Sequence, residues 1–340
     1  MSNSNKITMW SKILKHAEVY RNRKIKFRAR NFSKLKVVAF IISLSLLLTS
    51  ADCQYRKNEA TTIKVKVKKN IYYYTKPKGH KDPSYNKHCL DVYYPDRKGN
   101  HPVVIFIHGG SWSFGDRSWY TYLANSFAKE GIVSVIVSYR LSPQHKHPSQ
   151  MEDVTSAIFY VFKNIHKYNG NPEDIYLCGH SAGAHISSYI FFNKEFSKTH
   201  NLDIDKLKGV ILISGVYDFS RRYPVSNRHK KAIIGTFGST PEELKEASPV
   251  TYITDYKPEL FICYAERDIK VLKIQSKELA HKLDKKKLKY KIKEVPVHNH
   301  FSEIIFTVHK SDPLRKEILN FIKGSPDNEI EEGAKNVTKN

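Results

Sequence analysis

The chain has 340 residues, room for one large domain or two small ones, and 40% of them are apolar, so a sizeable core can be buried. A formal charge of +24 would suit a nucleic-acid binder, but the charge is concentrated at the front. Residues 1–36 hold eleven Lys and Arg against Glu18, residues 55–69 hold six against Glu59, and the rest is only mildly basic, which argues against nucleic acid as a partner.

Between the two basic blocks lies "VVAFIISLSLLLTSA", residues 37–51, with no charge. This run is shorter than the ~20 residues of a comfortable transmembrane helix and matches a long signal-peptide h-region. Thr49, Ser50 and Ala51 supply the small residues of a cleavage site. Because the basic flank precedes the run, everything after residue 51 is expected on the non-cytoplasmic side of a membrane. It is exported if the run is cleaved and anchored if the run is kept. Cys53 stands where a lipid-attachment cysteine would, although Asp52 fills a place that such sites give to a small residue.

Strands and helices then alternate. Residues 63–75 and 89–96 show period-two patterning and read as an opening antiparallel pair. "PVVIFIHGG" is a continuous apolar strand ending in glycines, "WYTYLANSFAKEG" a helix stopped by Gly131, and "IVSVIVSYR" a strand fit for burial on both faces. Val154, Ala157, Ile158, Val161, Phe162 and Ile165 form the stripe of a helix packed on a sheet. There follow strand "DIYLCGH", a helix from Ser181, strands "LKGVILISGVYD" and "ELFICYAERD", helix "KVLKIQSKELAHKLDKKK", strand "YKIKEVPV" and a closing helix over 312–324. This repetition predicts a mostly parallel central sheet with helices on both faces. Residues 219–251 break the rhythm and are expected to build a lid or pocket wall. Cys178 and Cys263 lie in apolar strands as buried free thiols. No CxxC or HExxH spacing occurs, so neither a metal nor a cofactor is expected.

Catalytic groups in such a sheet belong at the carboxyl ends of strands. Three apolar runs end in useful residues. "GHSAG" places Ser181 between Gly179 and Gly183 at a strand–helix turn, as a nucleophile or as a plain helix cap. In "HGGSW", Gly109 and Gly110 let the backbone turn N–H groups toward a developing oxyanion, together with the N–H of Ala182. Asp268 follows one late strand, and His298 and His300 follow the next, giving the order Ser, Asp, His. Glu266 and Asp218 are alternative acids, and Asp268 is equally placed to cap a helix. In the triad reading Ser181 attacks a carbonyl carbon, the histidine takes its proton, and the acid holds the imidazole tautomer.

The pieces "HGGSW", "SYRLSP", "HPSQMEDV", "GHSAGAH", "ISGVYD", "ERD" and "HNHF" resemble the α/β-hydrolase esterase group of hormone-sensitive-lipase-like carboxylesterases, kynurenine formamidases and prenylcysteine methylesterases. The resemblance implies an α/β-hydrolase domain over 71–324, behind a basic segment (1–36), the apolar run (37–51) and a basic linker with the first strand (52–70), and ahead of a polar tail (325–340). It implies His300 as base, Asp268 as acid, and Gly110, Ser111 and Ala182 as oxyanion donors. The favoured function is hydrolysis of a small-molecule carboxylic ester, with membrane association through residues 37–51 and their basic flanks. Arylformamide hydrolysis is the alternative within the group, although the basic front departs from a cytosolic kynurenine formamidase. A non-catalytic binding domain of the same fold is a third reading, and intact Ser181, Asp268 and His300 speak against it.

Overall fold

The computed structural model describes residues 63–74, 86–220 and 226–324; the basic segment, the apolar run, Cys53 and the polar tail lie outside them. Eight strands form one sheet: β1 (Val65–Tyr72), β2 (Cys89–Pro95), β3 (His101–Ile107), β4 (Val133–Val137), β5 (Gly170–His180), β6 (Gly209–Ile213), β7 (Glu259–Arg267) and β8 (Lys291–Asn299). Their order is β1-β2-β4-β3-β5-β6-β7-β8. β2 runs antiparallel to β1 and β4, while every pairing from β4 to β8 is parallel. The opening antiparallel pair and the parallel centre are as the patterning predicts. β1 reaches past residue 70, so this strand belongs to the sheet and to the same compact unit as the rest of the domain.

The helices are α1 (Thr121–Ala128), α2 (Ser149–Asn164), α3 (Ala182–Phe192), α4 (Lys194–Thr199), α5 (Asn227–Phe237), α6 (Pro241–Glu246), α7 (Lys270–Lys285), α8 (Ser302–Ile305) and α9 (Pro313–Lys323). Strand alternation sorts the core into two layers. Val103, Ile105 and Ile107 of β3 point into the layer shared with Val154 and Ile158 of α2, Ile186 and Ile190 of α3, and Leu279 and Leu283 of α7. Val104 and Phe106 point into the other, with Leu123 and Phe127 of α1 and Ile318 and Phe321 of α9. A strand sandwiched this way has no polar face, which is why β3 and β4 read as mainly apolar runs, broken in β4 only by the buried Ser134. Cys89, Cys178 and Cys263 are buried free thiols in this core. Among the described residues, no helix is long and apolar enough to cross a membrane.

Candidate active site

Where β5 passes into α3, Ser181 sits at φ 55°, ψ −118°, a left-handed conformation that costs a non-glycine residue about 1–3 kcal/mol. Two backbone bonds hold it there: its N–H donates to Ile213 O at 2.8 Å, and its carbonyl accepts from His185 N at 3.1 Å. The flanking glycines are demanded by close approach of backbone. A Cβ on Gly179 would lie 2.3 Å from Gly183 O, and one on Gly183 would lie 2.1 Å from Ile107 O. Ser181 occupies the position of a helix cap, yet its hydroxyl makes no capping bond. The Oγ instead lies 3.0 Å from His300 Nε2.

His300 is the first residue after β8, and its Nδ1–H donates to Asp268 Oδ1 at 2.9 Å. Asp268, just beyond β7, has a fully buried side chain. It also accepts the N–H of Ile269 at 2.7 Å. The cap position of α7 falls on Ile269, so Asp268 does not serve as that helix's cap. The other sequence candidates are occupied elsewhere. His298 Nε2 bonds Asp312 at 2.7 Å, and Asp312 caps α9. The Glu266 carboxylate accepts from Val297 N, and Asp218 is held by Ser220.

The loop after β3 carries the glycine pair. Gly110 has φ 128°, and a Cβ there would meet Phe114 O at 2.0 Å, so only glycine fits. Ser111 and Trp112 follow at φ 48° and 58°. His108 beneath them stacks on Tyr139, whose hydroxyl donates to His108 O at 2.8 Å. Burial lowers the His108 pKa to about 4. One expected oxyanion donor is corrected by this geometry: the N–H of Gly109 donates to Tyr120 Oη at 3.1 Å and is committed there. Gly110, Ser111 and Ala182 stay candidate donors, as expected from the sequence.

That bond leads into a network the sequence analysis did not find. Tyr120 Oη–H points at His180 Nδ1, 3.4 Å away. His180 Nε2–H donates to His300 O at 3.0 Å and approaches Glu303 Oε1 at 3.1 Å. Glu303 Oε1 is also 3.7 Å from His300 Nδ1. Burial, then the charge of Asp268, raises the Glu303 pKa to about 8, so at neutral pH it carries its proton. Burial lowers His180 to about 4, so it is neutral. Two carboxyl groups thus flank one imidazole, and Glu303 is the one held neutral by its surroundings. His180, His300 and Glu303 are also the group among the described residues whose atoms could gather on a metal ion, but these atoms already hydrogen-bond one another and the backbone. The available signal was a lone acid in the apolar "SEIIF" just after His300.

Within the stretch expected to build a pocket wall, residues 228–235 do so. A pocket of about 260 Å³ is lined by Ser111, Phe114, Ser142 and Pro143 on one side and by Arg228 and Lys231 of α5 on the other. Trp112, Trp119, Tyr120, Tyr122 and Phe301 are not part of this lining. Trp112 is buried against Phe219 and Phe237 and donates to His185 Nδ1. Tyr120 belongs to the network above, and Trp119, Tyr122 and Phe301 are exposed.

The BD-FAE family model matches residues 90–283. A protein named as a probable isoprenylcysteine alpha-carbonyl methylesterase, from Oryza sativa subsp. japonica, is 35% identical over 176 residues, 49% of this chain and 41% of that one. The chain therefore spans about two-fifths of that relative. A kynurenine formamidase of Danio rerio is 28% identical over 245 residues, covering 68% of this chain and 77% of its own. Among solved structures, esterase B of Lactobacillus rhamnosis superposes with a TM-score of 0.65 at 19% identity, over 85% of this chain and 95% of the other. The fold is that of the α/β-hydrolases.

Proposed function

The chain belongs to the BD-FAE family, and from that premise we propose that it is a serine hydrolase of carboxylic esters. The observation that carries the reading is the single imidazole of His300 within hydrogen-bond reach of both Ser181 Oγ (3.0 Å) and Asp268 Oδ1 (2.9 Å). His300 Nε2 takes the proton as Ser181 Oγ attacks the carbonyl carbon, and Asp268 stabilises the imidazolium. The N–H groups of Gly110, Ser111 and Ala182 receive the oxyanion. His300 then protonates the leaving alcohol, and water releases the acyl group by the reverse sequence. The small or medium acyl, or methyl, ester is the substrate class to test first. Steady-state kinetics on p-nitrophenyl esters of increasing acyl length, with Ser181→Ala as control, tests the reading. No turnover, or turnover that survives the substitution, overturns it.

A second reading is hydrolysis of an aryl formamide by the same groups. It is favoured by the likeness to the Danio rerio kynurenine formamidase, which extends over three-quarters of that protein. N-formylkynurenine assayed beside the esters separates the two. The site is proposed to act on the non-cytoplasmic side of a membrane, on the charge asymmetry about residues 37–51. A reporter fused after residue 60 is expected to be active only once translocated; activity confined to the cytosol overturns that placement.

A further inference from the structure

The pocket beside Ser111 has a mainly apolar surface, yet it is bordered by two cations that the ester reading does not explain. Arg228 and Lys231 are one helical turn apart on α5, with Ala232 and Gly235 on the same face, and all four line the pocket. Two small residues leave the space open and two long cations border it. On the opposite side stand Ser111, Ser113 and Ser142, and no acidic residue is part of the lining. Among the described residues, neither cation is ion-paired. The Arg228 guanidinium lies 5.5 Å from the centre of the Phe114 ring, in the loop that also carries Ser111. An aromatic face holds a guanidinium in place without cancelling its charge, whereas a carboxylate partner would cancel it. His229 between the two cations has a lowered pKa, first through burial and then through Arg228 and His300. Basic residues on an exposed helix are ordinarily a solvated face, but such a face does not open onto a cavity that shares a residue with the oxyanion loop.

We infer that this pocket is an anion subsite, and that the preferred substrate is an ester carrying a carboxylate near its scissile bond. The inference rests on the ester-hydrolase reading. A planar guanidinium with a neighbouring ammonium matches a carboxylate in both charge and geometry. Serine hydroxyls on the facing wall supply neutral donors.

The test uses two matched pairs. 4-Nitrophenyl butyrate against mono-4-nitrophenyl glutarate puts the carboxylate on the acyl side. Phenyl acetate against 4-acetoxybenzoate puts it on the alcohol side. The readout is the ratio of kcat/KM, anionic over neutral, for the full chain at low salt. We expect a ratio of about ten or more in one pair, falling toward one in 0.5 M salt and in the Arg228→Gln/Lys231→Gln double variant. An Arg228→Glu/Lys231→Glu variant is expected to push the ratio below one. Both positions are exposed, so folding should survive. Turnover of all four esters with ratios near one in the wild type overturns the subsite alone, as does a ratio that the double glutamine variant leaves intact. No turnover of any ester sinks the hydrolase reading and the subsite with it.

Discussion

Two regions meet at the proposed site and are built on opposite principles. At the corner formed by the ends of β5, β7 and β8, polar side chains are buried and bonded to one another. Asp268 and Glu303 have no exposed side-chain surface, and His300 has 9%. The wall contributed by α5 is exposed, its Arg228 is held by one aromatic contact, and small residues keep it open. Groups that move protons must be fixed to within fractions of an ångström, and burial with full hydrogen bonding does this. Groups that select a substrate must stay solvated and unpaired until the substrate arrives. If this contrast is functional, substitutions at the corner should act on turnover whatever the ester, and those on the wall should act on the ratio between esters.

The largest effect is expected at the nucleophile. Ser181→Ala should lower kcat on a p-nitrophenyl ester by a factor on the order of 10⁵–10⁶ with circular dichroism unchanged, since the hydroxyl makes no capping bond. Retention of more than about a hundredth of turnover would mean that Ser181 is only a turn residue. Next comes the imidazole's partner. Asp268→Asn leaves the shape but withdraws the charge and the tautomer control, and kcat should fall about 10⁴-fold. A large loss on swapping Glu303 for Gln, with Asp268→Asn nearly as active as wild type, would show that the two acids had been assigned the wrong way round.

The two histidines divide the corner itself. His300→Ala should inactivate nearly as fully as the serine change, since no other imidazole bridges Ser181 and Asp268 among the described residues. His298→Ala should keep turnover within a few-fold while costing about 1–3 kcal/mol of stability, because Asp312 loses a buried partner at the start of α9. Kinetics beside urea denaturation on both variants decide this. A dead but stable His298 variant would reverse the assignment. A loss of turnover between these two, about 10²-fold, is expected from Gly183→Ala, whose Cβ must displace the Ile107 carbonyl and with it the Ser181 turn. A wild-type rate in that variant would show that the elbow tolerates the shift.

The corner was legible in the sequence for a physical reason, and the wall was not. Each groups' position at the corner follows directly from an apolar strand, so periodicity located the strand and the next residues identified the chemistry. Gly179, Gly183 and Gly110 are each forced by a backbone atom within 2.3 Å of a would-be Cβ, and such constraints leave a mark in local spacing. The α5 cations carry no such mark, because a basic helical turn reads the same whether it faces water or a cavity. The commitment of the Gly109 N–H was equally hidden, since its acceptor Tyr120 comes from α1's approach and not from the loop. Glu303 was missed because the role of an acid depends on what buries it, and a four-residue helix such as α8 gives no periodicity to read.

Glu303 provides the smallest and most selective test of the corner. Its pKa is raised to about 8 in the fold, above the ordinary 4.5, chiefly by burial. The folded state therefore keeps a proton that the unfolded chain releases above pH ~4.5. The stabilisation linked to this proton is fully present below that pH and is lost as pH rises through about 8. Across this window the slope is at most ~1.4 kcal/mol per pH unit. Glu303→Gln keeps a neutral side chain that can still accept from His180 Nε2–H, but it cannot titrate. Urea midpoints of the wild type should therefore fall between pH 5 and pH 8 by more than those of the variant. Turnover should change less than tenfold, because Glu303 Oε1 stands 3.7 Å from His300 Nδ1 whereas Asp268 stands 2.9 Å away. Identical pH dependence in the two proteins would mean that Glu303 is ionised in the fold. The imidazole of His300 would then have a second charged carboxylate 3.7 Å from its Nδ1.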